Sequence, residues 1–428
     1  MRHTSSLTDA GPAHAPTTPA EVECVSLRRQ LTVAATGVAV GTRSRIGEVK
    51  DKRVQGRSTV RGPGGQPVPG GEHNGSSSDA AYPQWDEPDH AVDDAVRDVI
   101  AHLSDLLVER AGLKAQVEGH VVTEASHHTL VEHGPAGTTA AERVSHTRDW
   151  SFVVDLMDDT GWLADADTGW SGPFDPKRTT VVPRLRQALE RHALRHTVVP
   201  PIVHLELVEG SAGALLHEAV GHLLENYSGR RSLLRHRHGQ QVAPGFLSVV
   251  DDPTRAGAFG QHEVTALGSS SSATSLIDGG RLSGFLHDEI TGPWRQEIRN
   301  EAPKPRMTWL GVAPGRDAAA LDDGRGRVHH PLVRVHRFGG GSLNHRTGIV
   351  NIDVKEAVTV EGSPSRVAPF SIIVHAADLL ADLQAVGPDL HTWSAYCLGT
   401  SGRLPVGAEV PTILTGAIRT GPARWLAP

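Results

Sequence analysis

The sequence predicts an α+β protein: an N-terminal α/β region, a strand-rich C-terminal domain, and a histidine-bearing helix between them. Three observations support this. Apolar residues recur at helical spacing in the first half of the chain. Short strand-like runs separated by glycine turns fill the last third. Helices and strands do not alternate as they do in βαβ units, so a parallel doubly wound sheet is not expected.

Composition narrows the protein class. With 428 residues the chain has room for two or three domains, but only 38% of it is hydrophobic, and 46 Gly and 28 Pro indicate that part of it cannot build a core. A net charge of −7 argues against nucleic acid as the main ligand. No apolar run of about 18 residues predicts a membrane span. Two cysteines and no signal peptide predict a reducing, cytoplasmic location.

Three regions follow from this reading. Residues 1–85 are expected to be a disordered or atypical N-terminal segment, because glycine, proline and serine between 55 and 80 give a linker composition, although residues 31–40 are β-like. Residues 86–200 are expected to form an N-terminal α/β domain. Residues 201–428 are expected to hold the functional core and a strand-rich C-terminal domain.

Apolar periodicity predicts the individual elements. The first helix is expected to start near Asp89, which would cap it, and a second to run over 183–196 with Pro183 in its first turn. The first of these helices carries its apolar residues at Val92, Val96, Ile100, Leu103 and Leu107. Strands are predicted at 150–156, 201–208, 246–250, 264–266, 333–338, 349–360 and 371–374.

The most informative segment runs from Leu215 to Glu225, where His217, Glu218 and His222 lie in an apolar run. Two imidazoles with a carboxylate between them are the groups that zinc hydrolases use. The histidines are five residues apart, which in a regular α-helix leaves them roughly 140° out of phase. Either the helix contains a one-residue π-bulge, or the pair binds no metal. Gly221 would give the backbone freedom to distort.

A catalytic zinc commonly has three protein ligands and one open position, so a third ligand must come from elsewhere. Cys397 is the leading candidate, because it is the only cysteine in the part of the chain predicted to be ordered. A lone cysteine is otherwise a small buried hydrophobe, and that reading stays open. The weaker candidates, any of which could instead support a ligand, are Glu225, Asp251, Asp252 and His262.

The segment from Gly213 to His222 resembles the metal motif of the TldD/PmbA family of metallopeptidases, and in particular its TldD branch. Further matching segments follow in the family's order: 248–253, 277–282, Pro305-Arg306-Met307-Thr308, Phe338-Gly339-Gly340-Gly341, 397–399, 404–407 and 410–412. The resemblance covers residues 180–421 and, more weakly, 90–180. Asn226-Tyr227 follow Glu225 where the family commonly has Gly-Asp, and the first 85 residues match the family's N-terminal domain poorly.

The resemblance implies a Zn²⁺ ion held by His217, His222 and Cys397, with Glu218 as catalytic base. It implies a peptidase that acts on unfolded or leader-type peptides. It also implies a dimer, either of this chain or with a metal-free subunit of the PmbA (TldE) branch. Gly339, Gly340 and Gly341 are the candidate substrate-binding residues, since glycines let an extended peptide approach a strand edge. A simple turn at these glycines is the competing reading.

Two alternatives to this function remain at the level of the sequence. The chain is a non-catalytic or diverged binding subunit of a TldD/TldE-like complex, or it is an amidase acting on a peptide natural product. The joint presence of His217, Glu218, His222 and Cys397 argues against the first of these.

Overall fold

The computed structural model describes most of the chain between residues 21 and 423. The described ranges are 21–40, 43–46, 50–63, 68–69, 91–110, 112–134, 137–179, 181–226, 232–287, 292–296, 303–316, 318–399 and 401–423.

The N-terminal unit is an antiparallel sheet with two helices on one face. Its strands are β1 (Glu21–Val40), β2 (Arg43–Ile46), β3 (Lys50–Pro63), β4 (Val68–Pro69), β5 (Lys114–Gly134), β6 (Gly137–Asp158) and β7 (Gly161–Ser171). They lie in the order β4-β3-β1-β5-β6-β7, with β2 folded back on the end of β1. Helices α1 (Ala91–Glu109) and α2 (Val182–His192) share one apolar core with this sheet, and a 3₁₀ turn (Pro176–Thr179) precedes α2.

The two helices form where the apolar periodicity predicts them. All five apolar residues predicted to line α1 are buried, while Asp89 lies outside the described residues. Helix α2 has a proline in its first turn and buries Leu185 and Leu189, but it ends at His192, four residues earlier than predicted.

The expectation of a linker over 55–80 was wrong for residues 55–63. These lie in β3, which pairs with β1 over its whole length, from Glu21 opposite Pro63 to Ala34 opposite Lys50. Strand β1 is in turn paired along its other edge with β5. The part of the 1–85 segment that the structure describes is therefore built into the first sheet through backbone pairing, which composition does not reveal.

The C-terminal region contains the remaining strands. They are β8 (His196–Thr197), β9 (Ile202–Leu207), β10 (Glu225–Asn226), β11 (Val249–Asp251), β12 (Thr274–Asp278), β13 (Arg281–Leu282), β14 (Leu286–His287), β15 (Trp294–Arg295), β16 (Lys304–Pro305), β17 (Trp309–Val312), β18 (Leu332–Asn344), β19 (Ile349–Thr359), β20 (Arg366–Val367), β21 (Phe370–His375), β22 (Ala385–Val386), β23 (His391–Gly399), β24 (Gly402–Val410) and β25 (Ile413–Pro422). Its helices are α3 (Ser211–Leu216), α4 (Ala319–Arg325) and α5 (Ala376–Ala381), with a π-helical turn (His217–His222) continuing α3.

Two larger sheets organise this region. The first has the order β18-β9-β25-β21-β19-β20-β8, and since β18 also pairs with β19, five of its strands close on themselves. The second has the order β13-β12-β11-β17-β24-β23. Helix α3 and the π-turn lie between these sheets in one core, with Leu205, Val335, Leu310 and Ala408 among the residues around them.

The predicted α+β class is confirmed, and most strand pairs in the described residues are antiparallel, with parallel pairs such as β9–β18 and β17–β24 in the C-terminal region. Most strand predictions match, but residues 264–266 form no strand and carry only a single bridge from Val264 to Ser270. The predicted strand at 246–250 begins only at Val249. The boundaries at 85 and 200 stay predictions.

No helix within the described ranges is both long enough and apolar enough to cross a membrane.

Candidate metal centre

The helix that carries the motif changes its winding at His217. Helix α3 ends at Leu216, and the chain continues as a π-turn whose hydrogen bonds reach five residues back. Because of that wider turn, two residues five positions apart lie on one side of the helix. The rings of His217 and His222 lie edge to face, with their centroids 4.6 Å apart. The π-bulge that the five-residue spacing required is therefore present.

Gly221 has a steric reason to be glycine. Its backbone has ordinary right-handed dihedral angles, so it is not needed for a special φ. A Cβ at this position would lie 1.9 Å from Met307 Sδ and 2.5 Å from Met307 Cε. The absence of a side chain lets the segment that contains Met307 pack directly on the π-turn.

Cys397 lies close to the two histidines and completes a cluster of three potential metal ligands. It lies on β23, opposite Leu404 of β24, and is buried. One potential ligand atom from each of His217, His222 and Cys397 lies within 4.8 Å of the other two. The Cys397 sulfur is 3.4 Å from Nε2 of His222.

These residues fit a zinc ion by distance and by chemistry. Two ligands on one tetrahedral zinc, with Zn–S about 2.3 Å and Zn–N about 2.0 Å, lie roughly 3.5 Å apart. The observed sulfur-to-nitrogen distance of 3.4 Å agrees with that value. One sulfur and two imidazole nitrogens are also a donor set that zinc prefers over magnesium or calcium.

Glu218 points its carboxylate towards the cluster. Its Oε2 is buried, has no hydrogen-bond partner and lies 3.9 Å from His222 Nε2. Burial raises the pKa of the Glu218 carboxyl, and the neighbouring His222 opposes that rise. An unpaired, buried carboxylate oxygen beside three potential metal ligands is positioned to exchange protons with a group bound there.

Glu225, one of the weaker ligand candidates, lies behind His222 and hydrogen-bonds its ring. Its Oε2 accepts a hydrogen bond of 3.0 Å from Nδ1 of His222, which leaves Nε2 free to face Cys397. A carboxylate behind a metal-binding histidine fixes the orientation of the ring. Although burial opposes it, the charges of His222 and Arg306 lower the pKa of Glu225 to about 2.

The two histidines differ in their electrostatic surroundings. Burial lowers the pKa of His217 well below its usual range, so this ring is neutral. For His222 burial acts in the same direction, but Glu225 and Cys397 outweigh it and raise the pKa of the ring to about 10. A metal ion is bound only by a neutral imidazole, so His222 would have to release a proton to become a ligand.

Of the three glycines predicted to bind substrate, the structure places one directly against Glu218. Gly341 lies against Glu218, since a Cβ there would be 3.0 Å from the Glu218 carboxylate. Gly339 and Gly340 lie in the same strand, β18, so the three glycines form part of a strand and not a turn between strands.

The remaining ligand candidates have other partners. Asp251 accepts backbone hydrogen bonds from Thr308 and Trp309. Asp252 accepts from Thr254, and the Nδ1–H of His262 donates to the carbonyl of Gly260.

Sequence reasoning assigned no role to Arg306, which contacts both Glu225 and Cys397. The one sequence feature that could have pointed to Arg306 is its place in the Pro305-Arg306-Met307-Thr308 segment, which resembles the family. The distance of that segment along the chain from the histidines does not predict that Arg306 contacts the site.

Comparison with known proteins gives one family. Residues 207–421 match the model of the PmbA/TldA metallopeptidase C-terminal domain. The chain is 27% identical over 230 residues to a metalloprotease TldD homolog of Buchnera aphidicola, a match that covers 50% of this chain and 47% of that relative. It is 29% identical over 227 residues to the Haemophilus influenzae homolog, covering 50% and 46%. The chain thus spans about half the length of the curated relatives it matches.

Solved structures extend the likeness in fold to nearly the whole chain. TldE from Thermococcus kodakarensis superposes with a TM-score of 0.66 at 14% identity, covering 94% of this chain and 96% of that one. A putative modulator of a DNA gyrase from Thermotoga maritima gives a TM-score of 0.59 at 12% identity, covering 94% and 96%. At these identities the likeness concerns the fold alone.

The contact between Gly221 and Met307 generates a prediction. We expect Gly221→Ala to lower stability by about 1–3 kcal/mol and to reduce zinc content, because the added methyl group pushes the π-turn and the Met307 segment apart. Adding Met307→Ala to it should restore much of the zinc content but not the stability, because truncating this buried side chain costs packing of its own. Thermal unfolding and metal stoichiometry measure the two effects.

Gly326→Ala is the matched control, because a Cβ at that position meets only ordinary contacts at 3.6 Å. If Gly221→Ala behaved like this control, the close packing of the π-turn would be unimportant for the site.

Proposed function

This chain belongs to the PmbA/TldA metallopeptidase family, and we propose that it is a zinc-dependent metallopeptidase that hydrolyses peptide bonds in unfolded or leader-type peptides. One observation carries the proposal. His217, His222 and Cys397, from two segments about 175 residues apart, place their ligand atoms within 4.8 Å of one another. A fourth group, the buried carboxylate of Glu218, lies beside them with an oxygen that has no other partner.

His217, His222 and Cys397 would hold the ion. Zinc, when bound, polarises a scissile carbonyl and lowers the pKa of water towards neutrality. Glu225 keeps the His222 ring in place from behind, at 3.0 Å. The three ligands and their support all come from this chain, so we expect zinc binding to need no second subunit.

Glu218 acts as general base in this proposal. Its free Oε2 accepts a proton from the attacking water and later delivers it to the leaving amine. The raised pKa suits the first step, because the carboxylate of an acid with a higher pKa is a stronger base towards the water proton. Gly341 leaves space directly against this carboxylate, which a larger residue would fill.

The edge of β18 favours an extended peptide as substrate. Strand β18 pairs with β9 only through Leu332–Val335, whereas it pairs with β19 as far as Asn344. Within the described residues, the β9 side of β18 beyond Val335 therefore has free backbone groups next to Gly341 and Glu218. A peptide strand can hydrogen-bond to such an edge whatever its side chains are. Because the site is buried, a flexible chain reaches it more easily than a folded one.

Peptide hydrolysis should depend on the Glu218 carboxylate. We expect Glu218→Gln to keep zinc at full stoichiometry but to lower cleavage of an unstructured peptide by at least about 10²-fold, because the amide cannot take a proton. Metal analysis and peptide digestion test this. Glu361→Gln, at an exposed turn position, is the control and should retain activity. Full turnover in Glu218→Gln would remove the residue from catalysis.

An unmutated protein that binds zinc but cleaves no peptide would favour the alternative function, a non-catalytic subunit.

The role of Cys397 is tested against the other cysteine of the chain. Cys397→Ser should lower zinc occupancy, because a hydroxyl is a much weaker zinc ligand than a thiolate. Cys24→Ser, in β1, should leave zinc occupancy unchanged. Equal zinc content in both variants would place Cys397 outside the metal site.

We also propose that the protein works as a dimer, with a subunit of the PmbA (TldE) branch as the favoured partner. The chain shares its fold with TldE over 94% of its length, which supports a common architecture for two such subunits. Co-expression with a TldE-branch protein should yield a complex on size exclusion, while this chain alone keeps its zinc. Separate elution of the two proteins would count against the heterodimer.

A further inference from the structure

Arg306 connects the two halves of the metal centre. Its Nη2 donates to the Cys397 sulfur at 2.7 Å, and its Nε donates to Glu225 Oε1 at 3.0 Å. Since the other oxygen of Glu225 accepts from His222, one guanidinium links a ligand on β23 to a ligand on the π-turn. With the 3.4 Å contact from Cys397 to His222, the four side chains form a closed ring.

The guanidinium is suited to this position. Arginine has only donors, in a planar fork, so it can bind a sulfur and a carboxylate in fixed directions at once. A third contact, from Nη1 to Ser401 Oγ at 3.2 Å, fixes the remaining end of the fork. The residue is only 5% exposed, so water competes little for these contacts.

The backbone around Arg306 is held from several directions. Pro305 pairs with Trp294 in the β15–β16 ladder. The amides of Thr308 and Trp309 both donate to Oδ1 of Asp251, at 2.8 and 2.9 Å. Met307 packs on Gly221 of the π-turn. Arg306 is therefore a rigid donor and not a side chain that adapts to its partners.

We propose that Arg306 is a positioning residue that pre-organises the metal centre. It holds the Cys397 sulfur and the Glu225–His222 pair at fixed positions relative to each other. This rests on the proposed zinc site. The guanidinium itself does not contact substrate in this proposal. Without it, the Cys397 sulfur loses its fixed donor, and the buried Glu225 carboxylate loses one of its two charged partners.

The primary test compares the zinc affinity of Arg306→Lys with that of the unmutated protein. Lysine keeps the positive charge but is a point donor that cannot bridge three partners. We expect a 10–100-fold weaker zinc affinity, the range for loss of an outer-shell partner. Competition with a chromophoric chelator measures it. In the Co²⁺-substituted protein, the thiolate-to-cobalt absorption should weaken or shift as well.

Arg28→Lys is the matched control. Arg28 is also buried and donates to the Glu124 carboxylate, but within the described residues it has no hydrogen bond to Cys397 or Glu225. Its replacement should leave zinc affinity within about threefold, even if the protein melts earlier. If zinc affinity fell only because the protein was less stable, it would fall in both variants. If Arg306 has the proposed role, zinc affinity falls in Arg306→Lys and not in the control.

A second variant serves if Arg306→Lys does not fold. A Cβ at Gly399 would lie 2.4 Å from Arg306 Nη1, so Gly399→Ala should displace the guanidinium without removing it. Gly399→Ala should also lower zinc affinity, but by a smaller factor than Arg306→Lys. Unchanged zinc affinity and cobalt spectrum in both variants would overturn the proposal. Because neither readout needs turnover, an unmutated protein that binds zinc but cleaves no peptide would sink the proposed function and leave this inference standing.

Discussion

The π-helical turn at His217–His222 is the constraint on which the site depends. In a regular α-helix the two rings would diverge by roughly 140° and could not share an ion. One extra residue in the turn brings their centroids to 4.6 Å. A π-turn is rare because its hydrogen bonds are strained relative to an α-helix, so it needs support from outside. Burial between two sheets and the direct contact of Met307 with Gly221 give that support.

Two glutamates seven residues apart take different roles because their surroundings differ. Glu225 is paired with His222 and Arg306, and its pKa falls to about 2, so it stays ionised as a fixed support. Glu218 has a buried oxygen without a partner, and burial raises its pKa. Environments that push the pKa values of neighbouring carboxyls apart separate a structural group from one that exchanges protons.

The N-terminal sheet reaches the site through strand β23. Successive side chains of a strand point to opposite faces, so Cys397 faces His222 while Tyr396 faces the other way. Tyr396 hydrogen-bonds Ser151 of β6 at 3.2 Å, and Arg403 lies over its ring at 3.8 Å. Strand β23 thus packs against the N-terminal unit on the side opposite Cys397. The position of the Cys397 sulfur therefore depends on how the two parts of the chain pack together.

The sequence by itself determined what depends on local pattern. The apolar period of Val92, Val96 and Leu103 predicted α1, and the run around His217, Glu218 and His222 predicted that a metal site there would need a bulge, which the structure contains. Cys397 was predicted as the only cysteine in the part of the chain expected to be ordered, and from family resemblance. The first of these grounds was wrong, because Cys24 also lies in a strand, β1.

Tertiary structure decided what depends on distance between remote segments. Strand β3 is held by β1 along its whole length, although its own composition predicted a linker. Gly221 is required by Met307 and not by backbone freedom. Arg306 meets Cys397 and Glu225 only because β16, β23 and the π-turn converge, and spacing along a chain does not encode such contacts.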